Sequence, residues 1–308
     1  MGLVSSPQQQ TCRTNMSVAN RSAGRNIHIY DAKDPDVVLG GLILTNGVTN
    51  ANFYSMVEIF CIFDSSYFLR DEDGITIQRD DYPLHPGKYF ILTNATAKNK
   101  YPGSITISNE PWLARTVSAA SGTRAASFRD AVRQRDRRCV ITGKEALRAE
   151  HGIWRGFEVA HIFPLAYEQH WTDSDYSRWI TIPATRGGAI NSVQNGMLLR
   201  DDIHTLFDGY DISVNPDDNY KVVCFGPDGE GIAGKHLDQR FLEDPCRPVD
   251  QLLRWHFRQA VFANMRGAGE PIFEYDFPPG SDVMGEITSG PKAAEWMEFE
   301  LFSRLSAR

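Results

Sequence analysis

The alternation of apolar and polar positions divides the N-terminal part of the chain into short strands around one helix. Residues 50–63 place their apolar side chains on one side at helical spacing, and Asn50 is a suitable N-cap. Apolar runs on both sides of this helix have the length and composition of strands, and one pair follows a Pro-Gly turn. The strands are predicted at 27–30, 37–44, 89–92 and 104–107.

The middle of the chain predicts a strand, a second strand and then a helix. Residues 157–163 form a short, largely apolar run that stops at Pro164, which is typical of a strand leading into a loop. Asn195-Gly196 is a turn signal, and the apolar run after it passes from a short strand into a helix. That helix carries His204 and Asp208, which are four residues apart and therefore share a face.

The rest of the chain is predicted to contain three helices, a hairpin, an insertion and an irregular stretch. Residues 127–138 predict a helix with Phe128 and Val132 inward and its arginines outward, and residues 168–186 form an aromatic-containing insertion. The patterns that follow predict a hairpin of 210–214 with 220–225, a helix at 249–266, an irregular Pro-rich stretch at 270–282 and an amphipathic helix at 292–305.

Composition is that of an ordinary soluble globular protein, with 42% hydrophobic and 23% charged residues in 308. No apolar run is long enough for a membrane span, and no basic-then-apolar segment predicts a secretory signal. Five cysteines without a CxxC pair favour reduced thiols in an intracellular protein, nuclear or cytoplasmic. The start at Met1-Gly2 fits a loose N-myristoylation pattern, which is short and often matches by chance.

The net charge of −7 is unusual for a protein that binds nucleic acid, but the charge is segregated. Basic residues outnumber acidic ones between Arg115 and Arg155, directly before the central motifs. These arginines either form a solvated helix face or contact phosphates, and the aromatic side chains of the insertion either pack on the core or stack on bases. The candidate phosphate-binding residues are Arg129, Arg133, Arg135, Arg137 and Arg138.

Three motifs in the centre of the chain resemble those of the HNH endonuclease (ββα-metal) family. His161 lies in AHIFP, Asn195 in the segment ending NGMLL and His204 in DIHTLFD, after a lead-in strand and turn at Cys139–Gly143. The resemblance covers roughly residues 125–225 and is closest to the HNH-domain proteins common in filamentous fungi. It implies an α+β fold in which a ββα-metal core is joined to an N-terminal α+β module and C-terminal helices.

This resemblance completes the predicted organisation of the chain. A Ser-, Gln- and Asn-rich N-terminus is expected to be disordered, and a Ser- and Ala-rich connector is expected to separate the two modules. The predicted segments are the disordered N-terminus (1–24), the N-terminal α+β module (25–108), the connector (109–123), the HNH nuclease-like domain (124–225) and a C-terminal helical extension that packs on the core (226–308).

The resemblance also assigns roles to the central residues. His161 is expected to be the general base, because imidazole titrates near neutral pH. Asn195 is expected to hold the His161 ring or to bind the metal, and His204 is expected to be a metal ligand. Asp208 stands where a second ligand on the helix would be, although it also suits a helix C-terminus. We expect the two imidazoles to meet around one cation.

One position departs from the family pattern. Many HNH enzymes have Asp or His directly before the catalytic histidine as a metal ligand, whereas this chain has Ala160. Glu158 lies one pleat back on the same strand face, about 6.5 Å away. Glu158 is therefore predicted as the substitute ligand.

The resulting hypothesis is a metal-dependent endonuclease, a hydrolase that cleaves phosphodiester bonds in DNA. Oxygen and nitrogen ligands favour Mg²⁺ or Mn²⁺, and the imidazole also allows Zn²⁺ or Ni²⁺. Two alternatives stay open. One is an inactive HNH-fold binding module, which the missing acid and the acidic net charge favour. The other is the HNH fold reused for small-molecule chemistry in an enclosed pocket over His161.

Overall fold

The computed structural model describes residues 21–94, 103–113, 123–184 and 187–270. The irregular stretch expected at 270–282 lies outside this range apart from its first residue, and so does the helix expected at 292–305. Residues 21–24, assigned above to the disordered N-terminus, form a turn in which the Arg21 side chain is buried. Ordered structure thus begins before the predicted boundary at residue 24.

The N-terminal part is built on a five-stranded sheet with the order β2-β1-β6-β4-β5. Strands β1 and β6 are parallel and the other neighbours are antiparallel, while β3 and β7 form a separate antiparallel pair. The elements are β1 (Ile27–Asp31), β2 (Asp34–Leu42), α1 (Asn50–Phe60), β3 (Cys61–Phe63), β4 (Tyr67–Asp71), β5 (Thr76–Ile77), β6 (Gly87–Thr93) and β7 (Ile105–Ile107).

Helix α1 is capped one residue earlier than predicted and ends three residues before its predicted end. Thr49, not Asn50, is the N-cap, because its hydroxyl accepts a hydrogen bond from the Asn52 amide while the Asn52 side chain accepts from Thr49 N. At Cys61 the backbone becomes extended and enters β3. The helix buries Phe53 and Phe60 completely against the sheet.

The second half of the chain contains a hairpin followed by a helix, a second hairpin and a long helix. The hairpin of β10 with β11 was predicted and is confirmed. The helix predicted at 127–138 begins at Thr123 and ends at Asp136. The elements are α2 (Thr123–Asp136), β8 (Phe157–His161), α3 (Glu168–Asp173), β9 (Gly196–Arg200), α4 (Asp201–Asp208), β10 (Ile212–Asn215), β11 (Lys221–Cys224), α5 (Gln239–Leu242) and α6 (Asp250–Met265).

Helix α6 belongs to both of the large hydrophobic cores. Leu252, Leu253 and Trp255 pack in the core that contains α4, β8 and β9. Further along the helix, Val261 and Phe262 pack in the core of the N-terminal sheet. Because one helix supplies side chains to both cores, the two halves of the protein are joined through apolar contacts.

A buried polar contact also links the halves. The Lys221 ammonium lies 2.5 Å from the Asp218 carboxylate and donates to the Asn52 side chain of α1 at 3.2 Å. Helices and strands are thus mixed within one connected structure, which confirms the predicted α+β class. None of the helices in the described residues is long and apolar enough to cross a bilayer.

Candidate active site

The hairpin of β8 and β9, with α4 directly after it, carries the residues singled out in the sequence. The strands are antiparallel, and His161 at the end of β8 lies opposite Gly196 at the start of β9. One face of the hairpin, which includes Ala160 and Met197, packs with Ile203 of α4 in a common core. Because strand side chains alternate, residues at even positions of β8 face α4 and those at odd positions face away.

His204 of α4 lies between two carboxylates. Glu158 Oε2 is 2.8 Å from His204 Nδ1, and Asp208 Oδ2 is 3.3 Å from His204 Nε2. The Asp208 contact follows from the four-residue spacing on a helix, whereas the Glu158 contact requires the strand to lie beside α4. The side chains are 22%, 59% and 31% exposed for His204, Glu158 and Asp208, so solvent and ligands reach all three.

The position of Glu158 differs from its predicted role as a substitute metal ligand. It contacts Nδ1 of His204, and the two ring nitrogens point in different directions. A cation between Nε2 and Asp208 would therefore lie across the ring from the Glu158 carboxylate. A carboxylate on the other nitrogen instead fixes the ring orientation and keeps the proton on Nδ1, which leaves the Nε2 lone pair for a ligand.

His204 and Asp208 are spaced to hold one cation jointly. Two ligand atoms about 2.1 Å from one ion, at an angle of roughly 100°, lie about 3.2 Å apart, close to the 3.3 Å that separates Nε2 and Oδ2. In the described ranges no group of three or more His, Cys, Asp or Glu residues is arranged to hold a metal. The protein thus offers two candidate ligands, His204 and Asp208. This number suits a cation whose other coordination positions are filled by water and by phosphate oxygens.

A further carboxylate stands near this pair at the start of α4. Partial burial raises the pKa of Asp201, and the negative charge of Glu158 adds to the increase while His204 opposes it. The smaller contribution from Glu158 shows that a second carboxylate lies near Asp201, so negative charge is concentrated here. Such a concentration favours a bound cation.

His161 lies on the opposite face of the hairpin from His204. Its ring stacks on Phe128 of α2, with centroids 3.9 Å apart and planes 18° apart. Its Nε2 is 3.4 Å from the side-chain oxygen of Asn191. Strand alternation turns Glu158 towards His204 and His161 towards α2. The two imidazoles therefore lie on different faces of the hairpin, contrary to the expectation that they meet around one cation.

Asn195 does not contact the His161 ring and is not placed to bind a metal, contrary to both predicted roles. It is completely buried, and its side-chain oxygen accepts from Phe163 N at 2.8 Å. Its side-chain nitrogen donates to the carbonyl oxygens of Phe163 and Ile190 at 3.1 and 2.8 Å. These bonds hold the segment just after β8 and the segment before β9, so Asn195 positions the loop that follows His161.

Asn191 is the residue that faces His161, and the sequence analysis missed it. Its side-chain nitrogen donates to the Gly187 carbonyl at 2.7 Å, which turns its oxygen towards His161 Nε2. A neutral His161 ring with its proton on Nε2 would donate to this oxygen, and Nδ1 would then be its basic nitrogen. Asn191 and Asn195 are four residues apart in one loop. The sequence could have indicated Asn191 only as a second asparagine in this loop.

Arg135 is not a phosphate-binding residue, because its guanidinium is used inside the protein. The side chain is only 4% exposed and lies 2.5 Å from the Asp136 carboxylate. It also donates to the carbonyl oxygens of Val193, Cys246 and Gly196 at 2.7–2.8 Å. The prediction that all arginines of this helix point outward is therefore wrong at Arg135, which ties α2 to the hairpin.

The other four predicted arginines lie nearer the surface. Arg133 stacks over the Trp154 ring at 5.0 Å, and burial together with the charge of Arg129 lowers the Arg133 pKa. Arg129 and Arg138 each lie beside an acidic side chain, at 3.1 and 3.7 Å. Arg137 is exposed and follows the end of α2 with a positive φ of 53°.

The aromatic residues of the insertion pack on the core. Trp171 is buried and meets Phe163 edge-on at 5.2 Å. Tyr176 stacks on Trp179 at 4.3 Å and also contacts Phe163 edge-on. Of the two interpretations above, the contacts favour core packing over a base-stacking surface.

Two family models match the chain. A model described as HNH endonuclease matches residues 139–215, which include the hairpin, α4 and all five residues of the predicted catalytic and metal sites. A model described as a domain of unknown function (DUF8573) matches residues 24–98, which contain all five strands of the N-terminal sheet. No curated protein and no solved structure matches the chain.

Proposed function

Since residues 139–215 form an HNH endonuclease domain, we propose that the protein is a metal-dependent endonuclease that hydrolyses phosphodiester bonds in DNA. The observation that carries this proposal is the cluster of His204, Asp208 and Glu158 on α4 and β8. A solvent-accessible imidazole between two carboxylates, on a strand–strand–helix frame, suits the ββα-metal type of site. The nuclease character of the family supports the same reaction.

The cation of this site would be held by Nε2 of His204 and Oδ2 of Asp208. A divalent cation there supplies positive charge to the scissile phosphate and to the departing oxygen. Glu158 would act through His204 by accepting the Nδ1 proton. One imidazole and one carboxylate fit Mg²⁺ or Mn²⁺, and the imidazole also permits Zn²⁺ or Ni²⁺.

His161 would be the general base. Asn191 would hold the proton on Nε2 of the neutral ring, and Nδ1 would then take the proton of the attacking water. The stack against Phe128 restricts rotation of the ring. In the described part of the chain β8 pairs only with β9, and a phosphodiester at the other edge of β8 would meet both faces.

Nicking of supercoiled plasmid DNA tests the proposal. The full chain with Mn²⁺ or Mg²⁺ is expected to convert supercoiled plasmid into open circles, and a chelator is expected to stop the conversion. His161→Ala and His204→Ala should each lower the rate at least about a hundredfold, because one removes the base and the other a metal ligand.

The matched control is His151→Ala, since that side chain is 67% exposed and lies outside the proposed site. This variant should nick plasmid at the wild-type rate. Equal activity of the His161→Ala and wild-type proteins would contradict the assignment of the base. Activity that survives the chelator would contradict the metal dependence.

A specific observation also favours the second candidate, an HNH-fold module that binds nucleic acid without cleaving it. Ala160 offers no ligand, and the described part of the chain has no group of three residues that could hold a metal. Titration calorimetry with Mn²⁺ separates the candidates. An active site should bind Mn²⁺ in the wild type and lose that heat in Asp208→Asn, whereas an inactive module should give no specific heat in either protein.

A further inference from the structure

A groove of about 590 Å³ lies beside the candidate active site. Its walls come from residues 144–148, residue 153, residues 155–157 and residues 200–202. It adjoins the site on two elements, because Phe157 in its wall precedes Glu158 on β8 and Asp201 in its wall opens α4. A ligand in this groove would therefore extend directly towards His204.

Three cations in the groove wall are not engaged by the protein. Lys144, Arg148 and Arg155 are all exposed. Across the described ranges, none of their side chains makes an ion pair or a hydrogen bond. Three unengaged cations on one concave surface form a site for anionic groups.

The acidic residues of the wall do not cancel this charge. Glu145 lies 3.7 Å from Arg138, and Asp202 pairs with Arg200. Arg200 is in turn shared with Glu230 at 2.9 Å. Asp201 therefore remains as the single wall carboxylate without an ion pair among the described residues, against three unengaged cations.

The groove also presents apolar surface between its cations. The Leu147 side chain is 80% exposed, and Ile153 and Phe157 are half-buried in the wall. A backbone hydrogen bond of 3.1 Å from Ile153 N to the Arg148 carbonyl closes the loop between these two residues. Apolar side chains of this kind contact the face of a base but have nothing to contact on a phosphate backbone.

We propose that this groove, here called the basic groove (residues 144–148, 153, 155–157 and 200–202), binds an unpaired nucleotide next to the scissile bond. The base lies against Leu147, Ile153 and Phe157, and the adjoining phosphates contact the three unengaged cations. The assignment rests on the proposed nuclease function and specifies its substrate as single-stranded or locally unpaired DNA. A paired base has its faces covered by its stacked neighbours and cannot use the apolar surface.

Fluorescence anisotropy with a labelled oligonucleotide tests the assignment. The full chain is mixed with a single strand or with the blunt duplex of the same sequence, in chelator so that no cleavage occurs. The single strand should bind more tightly. Arg148→Glu with Arg155→Glu should weaken its binding at least about tenfold and lower the slope of log K against log salt by about 1.4, for two lost phosphate contacts.

The control is a second pair of charge reversals far from the groove. Lys235→Glu with Arg240→Glu changes two exposed side chains and shifts the net charge by the same amount. This control should retain single-strand affinity within about twofold, since it removes no phosphate contact. The comparison separates a local effect from a general change in net charge.

A third variant tests the apolar part of the groove. Leu147→Ser removes an exposed side chain and leaves the fold and the charge unchanged. It should weaken single-strand binding about fivefold without changing the salt slope, because a base contact and not a phosphate contact is lost. Unchanged affinity in this variant would overturn the placement of a base in the groove.

Two other outcomes would overturn the proposal. The duplex could bind as tightly as the single strand, or both charge-reversed proteins could bind like the wild type. These results concern the groove alone and leave the roles of His161 and His204 untouched. Conversely, binding is measured without cleavage, so an inactive protein in the plasmid assay would leave the groove assignment standing.

Discussion

The environment of Asn195 explains why an asparagine at this position need not take part in chemistry. A completely buried amide is tolerated only when its donors and acceptor are bonded. Asn195 meets this condition with three backbone groups, two on Phe163 and one on Ile190. The side chain thus replaces the hydrogen bonds that the backbone of a buried loop cannot form with itself.

Asn195→Ala is therefore expected to destabilise the protein by about 3 kcal/mol, because three buried backbone groups lose their partners. Urea unfolding followed by fluorescence measures the change. Asn46→Ala, at an exposed position, should stay within about 0.5 kcal/mol of the wild type. A stable Asn195→Ala protein that has lost plasmid nicking would instead place Asn195 in the chemistry.

Local spacing accounts for the residues that the sequence places correctly. His204 and Asp208 meet because four residues on a helix bring two side chains together, and this needs no knowledge of the rest of the fold. The orientation of Arg135 depends on where the hairpin lies against α2. The choice between Asn191 and Asn195 depends on the path of a loop. No spacing rule contains that information.

At the scale of elements, the contact between α2 and the hairpin determines where His161 points. Phe128 lies over the start of β9 and stacks on the His161 ring. Gly196 leaves room for this helix, since a Cβ there would lie 2.5 Å from the Phe128 ring and 2.9 Å from Val132. A glycine at this position therefore lets the helix approach the strand closely.

Gly196→Ala is expected to cost about 2 kcal/mol, because the added methyl group pushes Phe128 out of its place. The same displacement should lower the nicking rate, since the His161 ring loses its support. In a Phe128→Leu background the added cost should fall below about 1 kcal/mol, because the clashing ring atoms are gone. Denaturant unfolding of the four proteins measures this coupling.

The matched control for this substitution is Gly229→Ala. A Cβ at Gly229 would have no atom within 4 Å, and its backbone is not in the left-handed region. This variant should unfold within about 0.5 kcal/mol of the wild type. Equal costs for Gly196→Ala in both backgrounds would show that Phe128 does not limit the space at β9.

Elements with local signals were predictable, and their arrangement in the N-terminal sheet was not. The turn between β10 and β11 and the apolar face of α6 stand in the sequence itself. The pairing of β1 with β6 is parallel and joins strands separated by most of the N-terminal module. Parallel pairing depends on a long crossover and not on a turn, so alternation of side chains cannot predict it.

The whole molecule is organised around α6, which supplies apolar side chains to both cores. Arg21 adds a further connection, since its guanidinium donates to Gly209 O after α4 at 2.7 Å and pairs with Asp211 at 3.0 Å. The segment that carries the proposed active site is therefore held from both ends of the chain. A domain defined only by the central motifs omits these supports.

A fragment of residues 124–225, the domain predicted from the motifs, is therefore expected not to fold cooperatively. It lacks Leu252, Leu253 and Trp255, which are buried in the core beneath α4 and the hairpin. Losing three large apolar side chains from one core costs several kcal/mol, comparable to the stability of a whole domain.

A fragment of residues 21–270 keeps α6 and both cores, and should melt in a single transition near that of the full chain. Thermal unfolding followed by near-ultraviolet circular dichroism distinguishes the two fragments. A cooperative transition in 124–225 would mean that α6 packs on the domain without being needed to form it.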